Sequence, residues 1–185
     1  EDASLDEVFA KIEADHGQLD FVVHSIAYAD KDWLQKGKFT ATPRDVYTSA
    51  MDISAWTLVG MAHRAAPLMK DGGSMISMSY YGAEKAVPGY NVMGVAKSAL
   101  ESSTRYLAAE LGEKNIRVNS ISGGPLRTMS AMAVGGFGEI LDWVEQKAPL
   151  HKNIEGEHVG DTAAFLLSER GGGITGQVIY VDSGY

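Results

Sequence analysis

Residues 74–121 read SMISMSYYGAEKAVPGYNVMGVAKSALESSTRYLAAELGEKNIRVNSI, a strand–helix–strand pattern. Ser74–Ser79 is a short strand candidate. Residues 88–112 read as a long helix closed by Gly112, and Ile116–Ile121 reads as a further strand. The same alternation continues outward in both directions. On the N-terminal side, Asp20–Ala27 (DFVVHSIA) is a nearly continuous apolar strand, of the kind covered on both faces in a parallel sheet. Pro43 to about Lys70 reads as one long helix, with Thr42 as its cap and Asp71-Gly72-Gly73 as its end. Residues 4–15 place Leu5, Val8, Phe9 and Ile12 on one helical stripe, with Gly17 just past the end. On the C-terminal side stand a short helix over 138–147, a helix over 155–168, a turn at Gly171–Gly173 and a last strand, Gln177–Val181. Helix and strand therefore alternate along the chain. Such alternation implies right-handed crossovers and an α/β domain, a doubly wound parallel sheet with helices on both faces. Sheets of this kind bind ligands beyond the carboxyl ends of their strands. Residues 24–40, 79–90 and 122–138 are the loops to search.

Composition narrows the function classes. A length of 185 residues fits one domain, and a hydrophobic content of 45% excludes intrinsic disorder. The absence of cysteine excludes a disulfide framework and a thiolate metal site, and no metal centre is expected. No apolar run approaches the roughly 18 residues of a membrane helix. No secretory signal is visible, so a cytoplasmic compartment is expected. A net charge of −8 argues against a nucleic-acid partner. Glycine, 21 residues, is in excess, as tight turns and close backbone approach to ligands require.

Tyr90 and Lys97 are seven residues apart, about two helical turns, so their side chains share one helix face. A neighbouring ammonium favours phenolate over phenol. Such a pair can donate a proton or hydrogen-bond a developing oxyanion. Taken alone, the spacing equally describes an amphipathic helix with a solvated lysine. His24 sits on a strand and reads as a core histidine with a hydrogen bond; no catalytic role is assigned to it. Met129, Met132 and Phe137 are either core or the apolar wall of a pocket. Gly135-Gly136 suggests a movable flap over about residues 129–147.

The stretch YYGAEKAVPGYNVMGVAKSALE, residues 80–101, resembles the active-site segment of bacterial enoyl-[acyl-carrier-protein] reductases, a divergent branch of the short-chain dehydrogenase/reductases. That family carries Tyr, six residues, then Lys, as Tyr90 and Lys97 do here. Ordinary superfamily members place Tyr four before Lys, where this chain has Met93. Three further segments agree: His24-Ser25-Ile26-Ala27-Tyr28-Ala29, Gly124-Pro125-Leu126-Arg127-Thr128, and the ending from Gly176 to Tyr185. The resemblance covers essentially the whole chain, in the family's order.

It implies a Rossmann-like fold and NADH-dependent reduction of a trans-2-enoyl thioester on acyl carrier protein, in fatty-acid elongation. It implies catalytic roles for Tyr90, Lys97 and Tyr80. Tyr90 would hydrogen-bond the thioester carbonyl, and Lys97 would bind the nicotinamide ribose. Ser25, Ile26, Lys97, Gly124, Pro125, Leu126, Arg127, Thr128, Met129 and Ser130 would contact the cofactor. Ala27, Ala29, Tyr80, Tyr90, Phe137 and Ile140 would contact the substrate. A homotetramer built partly from helices 43–70 and 88–112 is also implied.

The chain departs from the family at its front. No Gly-rich cofactor turn precedes Leu5, so the chain resembles the C-terminal two-thirds of a reductase, a single partial domain. The residue that separates NADH from NADPH would lie in that front segment, and NADP is therefore not excluded. An apolar edge on the first strand is expected, and with it aggregation and weak cofactor binding of this chain alone. In the flap, Met129 to Gly136 replaces a run of smaller residues, and Trp33 and Trp56 are bulky, which bears on acyl-chain preference. The alternatives are a 3-oxoacyl thioester or other carbonyl reductase, disfavoured by Met93, and a non-catalytic domain in which Tyr90 and Lys97 are relics.

Overall fold

The computed structural model describes residues 2–128, 131–133 and 136–185. Short apolar and serine-rich segments between polar turns form four strands: β1 (Phe21–His24), β2 (Gly73–Ser79), β3 (Ile116–Gly123) and β4 (Val178–Val181). They pair in parallel in chain order, with Val22 beside Met75, Ile76 beside Asn119 and Ile121 beside Ile179. Helices make the crossovers. α1 (Asp2–His16) precedes β1, and α2 (Arg44–Met51) and α3 (Thr57–Ala65) join β1 to β2. α4 (Asn91–Leu111) joins β2 to β3, while α5 (Phe137–Lys147) and α6 (Gly156–Leu167) join β3 to β4.

Strand alternation sorts the side chains into two layers. On one face Val22, Met75 and Val118 pack with Phe9 of α1, Leu58 of α3 and Leu100 and Leu107 of α4. On the other, Ile76 and Ile121 pack with Leu166, Val159 and Ala163 of α6. On that second face of β1, Phe21 and Val23 stay 53% and 42% exposed, the apolar edge that its sequence implied.

Several boundaries differ from the sequence reading. The first strand ends at His24 rather than Ala27. Tyr28 explains this: its N–H donates to Ser54 Oγ at 2.9 Å, and Ser54 Oγ donates back to the Tyr28 carbonyl at 3.0 Å, drawing the chain off the sheet. The helix read over 43–70 contains a π turn at Asp52–Trp56 and ends in a 3₁₀ turn at Ala66–Leu68. Thr42 does not cap it; its hydroxyl donates to the Phe39 carbonyl at 2.7 Å, and Pro43 takes the cap position. Gly112 continues α4 into a 3₁₀ turn, and the reversal falls on Asn115, whose φ of 55° is left-handed. Asparagine visits that region more readily than most residues.

Candidate active site

A cleft of about 810 Å³ opens at the carboxyl ends of β1, β2 and β3. Its walls come from six segments of the chain. The segment after β1 supplies Ser25, Ala27, Tyr28, Ala29 and Leu34, and the end of β2 supplies Met78, Ser79 and Tyr80. The turn before α4 supplies Tyr90, and the first half of α4 supplies Met93 and Lys97. The segment after β3 supplies Gly124, Pro125, Leu126 and Thr128. Phe137 and Ile140 of α5 face Gly156, Val159, Gly160 and Ala163 of α6 across the remainder.

Glycine sets how closely the parts approach. A Cβ on Gly94 would lie 2.7 Å from the Gly82 carbonyl oxygen, and a Cβ on Gly82 would lie 2.4 Å from Tyr90 Cδ1. The short 3₁₀ turn Tyr81–Ala83 therefore rests directly on α4 and holds the Tyr90 ring. Tyr80 meets that ring edge-on, with centroids 4.9 Å apart. Tyr81 turns away and packs on Tyr185, with centroids 5.7 Å apart.

Burial decides the protonation of these groups. Tyr90 has its phenol pushed above the ordinary range by burial and then by Tyr80. Tyr80 is pushed up to about 12, by burial and then by Tyr185. This corrects the expectation that Lys97 eases the proton from Tyr90. The Lys97 ammonium instead donates to the Met78 carbonyl at 2.5 Å, and removal of water outweighs any attraction it exerts on a phenolate. Lys97 itself is lowered to about 8 by burial, with Glu101 acting in the opposite direction. At neutral pH the cleft thus holds two neutral phenols and a largely cationic lysine.

His24 is 1% exposed, with Nε2 2.8 Å from Thr57 Oγ1. The Thr57 hydroxyl donates to the Ile53 carbonyl at 2.7 Å. Its oxygen therefore accepts, and the His24 proton sits on Nε2. Nδ1 is buried without a partner among the described residues. Burial, and secondarily Lys97, lower the imidazole to about 4. These contacts support the reading of His24 as a core histidine.

Ser25, Ala27, Ala29, Tyr80, Tyr90, Lys97, Gly124, Pro125, Leu126, Thr128, Phe137 and Ile140, all singled out from sequence, line this one cleft. Ile26 and Arg127 do not line it, although each adjoins residues that do; Ile26 is 42% exposed. Met129 and Ser130 lie outside the described residues, as do Val134 and Gly135 of the expected flap, whose residues 137–147 form α5. Trp33 and Trp56 do not line the cleft; the Trp56 ring instead lies over Gly60, 3.1 Å from where a Cβ would stand. The contribution of α6 went unread. Gly156, Gly160 and Ala163 recur at spacings of four and three, a smooth helical face that was visible as a pattern.

A model of the enoyl-(acyl carrier protein) reductase family matches residues 1–185. A Rhizobium meliloti relative, enoyl-[acyl-carrier-protein] reductase [NADH] 1, is 51% identical over 99% of this chain and 67% of its own length. A Staphylococcus aureus relative, enoyl-[acyl-carrier-protein] reductase [NADPH] FabI, is 50% identical over 96% of this chain and 69% of its own. The crystal structure of the Bacillus cereus enoyl-acyl carrier protein reductase with NADP+ and indole naphthyridinone superposes with a TM-score of 0.97 at 46% identity, covering 100% of this chain and 72% of that one. On sequence and structure together, the chain belongs to the enoyl-(acyl carrier protein) reductase family.

Proposed function

We propose that the protein reduces trans-2-enoyl thioesters on acyl carrier protein to saturated acyl thioesters with NADH, in fatty-acid elongation. The observation that carries this is the convergence of Tyr90, Tyr80 and Lys97 on one cleft, with Met93 where a carbonyl reductase of this superfamily has tyrosine. The residues fit a nicotinamide cofactor. Among the described residues the Lys97 ammonium makes one hydrogen bond, to Met78, so two of its three donors remain for the hydroxyls of a ribose. The cleft volume also lies in the usual range of small-molecule sites, about 300–1,000 Å³.

When bound, the cofactor supplies a hydride to the β-carbon. Tyr90, kept protonated by burial, donates a hydrogen bond to the thioester carbonyl and stabilises the enolate oxygen as charge develops there, and a proton delivered to the α-carbon then completes the saturated thioester. Lys97 holds the ribose and keeps the local field positive. Tyr80, against the Tyr90 ring, is a second phenol at the same pocket. Ser25, Gly124, Pro125, Leu126 and Thr128 take the cofactor side of the cleft. Ala27, Ala29, Phe137 and Ile140 form the acyl side, with α5 as the part of the substrate-binding flap that lines it. NADH is favoured by the Rhizobium relative, and NADP by the Staphylococcus one, so both cofactors belong in the assay. A cytoplasmic homotetramer completes the reading; no helix of the described residues is long and apolar enough to cross a membrane.

Replacing Tyr90 tests the assignment. Tyr90→Phe is expected to lower kcat on a short trans-2-enoyl thioester about 100-fold, the scale of losing one oxyanion donor, with cofactor affinity little changed. An unchanged kcat would remove Tyr90 from the mechanism.

A further inference from the structure

Lys97 and Glu101 stand one turn apart on α4, the spacing at which lysine and glutamate ordinarily pair. Here they do not: no ion pair joins them among the described residues. Each is tied to a successive residue at the end of β2 instead. Lys97 donates to the Met78 carbonyl at 2.5 Å, and the Ser79 hydroxyl donates to Glu101 Oε1 in a short hydrogen bond. Both Met78 and Ser79 line the cleft. A carboxylate one helical turn from a buried ammonium still acts on it through space, because burial of the ammonium weakens solvent screening.

We infer that Glu101 is a positioning residue of this site: its carboxylate, tethered by the Ser79 hydroxyl, keeps Lys97 charged while leaving the ammonium unpaired and available to the cleft. The inference rests on the reading of Lys97 as the cofactor's ribose ligand. Other groups face the pair from each side. Burial raises the Glu101 carboxyl; the Ser79 hydrogen bond, Arg105 a further turn along α4, and Lys97 favour its charged form, while Glu84, in the segment after β2, opposes it. Glu84 is held by the Tyr180 hydroxyl of β4 at 2.9 Å. His24 of β1 faces Lys97 and is kept neutral by burial. Burial pulls Lys97 toward neutrality, and Glu101 is the group that opposes this. Removing the Glu101 charge would leave the Met78 carbonyl alone to offset desolvation of the ammonium; removing the tether would let the carboxylate close on it.

The test is the titration of Lys97 itself, followed by NMR in protein labelled with ¹³C at lysine Cε, with the signal assigned by Lys97→Arg. Glu101→Gln keeps an acceptor for Ser79 and is expected to lower the Lys97 midpoint by about half a unit or more. Glu101→Asp should restore much of the shift. Ser79→Ala should raise the midpoint and raise KM for the cofactor together. A Lys97 midpoint unmoved in Glu101→Gln, whatever happens to activity or melting, overturns the inference; if that variant does not fold, an unmoved midpoint in Ser79→Ala does so. Should the midpoints move as expected in a protein that does not turn over enoyl thioesters, the charge assignment stands and the functional reading fails.

Discussion

At Gly94 a methyl group would strike the Gly82 carbonyl, and the turn that carries Gly82 also holds the Tyr90 ring. Gly94→Ala is therefore expected to destabilise the protein by about 1–3 kcal/mol, as overpacking does, and to lower kcat by displacing Tyr90. Denaturant unfolding and steady-state kinetics measure the two effects. His24 makes a second prediction. Its imidazole is held at about 4 in the folded protein against an ordinary 6.5. Between those values the unfolded chain binds a proton that the folded protein refuses. Stability therefore rises with pH through this window and is lost as pH falls from about 6.5 to 4, by on the order of 3 kcal/mol. His24→Gln, which can still donate to Thr57, should flatten that dependence in unfolding experiments run across pH. That Tyr90 and Lys97 belong to one site was legible from their spacing, but Tyr90 stands just before α4, whose first residue, Asn91, is left-handed, and it reaches the cleft from the turn rather than from a shared helix face. Their protonation was not legible, because desolvation depends on what surrounds a side chain, and neighbours in space are not neighbours in sequence.

Among the elements, the π turn at Asp52–Trp56 shows best what a local reading misses. Nothing between Pro43 and Lys70 signals a break: there is no internal proline until Pro67, and Gly60 passes through α3 undisturbed. The turn coincides with a contact 26 residues back in sequence, where fully buried Ser54 bonds both the N–H and the carbonyl of Tyr28. Ser54→Ala leaves these backbone groups without their partner and is expected to cost about 1–3 kcal/mol. Amide exchange at Tyr28 should accelerate in that variant. Slow exchange at wild-type rates would mean that the segment after β1 is held by something else. The four strands and the crossover helices, by contrast, were readable from apolar runs and glycine turns. Their ends shifted wherever a long-range hydrogen bond took over.

For the whole molecule, chain order and spatial order of the strands coincide, β1 to β4. The parallel arrangement follows from the alternation of helix and strand. It brings three loop segments, distant in sequence, to one end of the sheet, and those are the loops that the carboxyl-end rule for such sheets singled out. What the rule could not supply was the opposite wall from α6, whose Gly156, Gly160 and Ala163 close the cleft only because α6 packs against the second face of the sheet. In the proposed function, the Tyr90–Lys97 spacing and Met93 are what favour reduction of a carbon–carbon double bond over reduction of a carbonyl. That distinction is tested most directly by offering the intact protein a trans-2-enoyl thioester and a 3-oxoacyl thioester together, with NADH deuterated at the transferable position, and reading the products by mass spectrometry. Deuterium at C3 of the saturated acyl thioester, with none in a 3-hydroxyacyl product, is the predicted result. Label in the 3-hydroxyacyl thioester, with the enoyl substrate untouched, would contradict it.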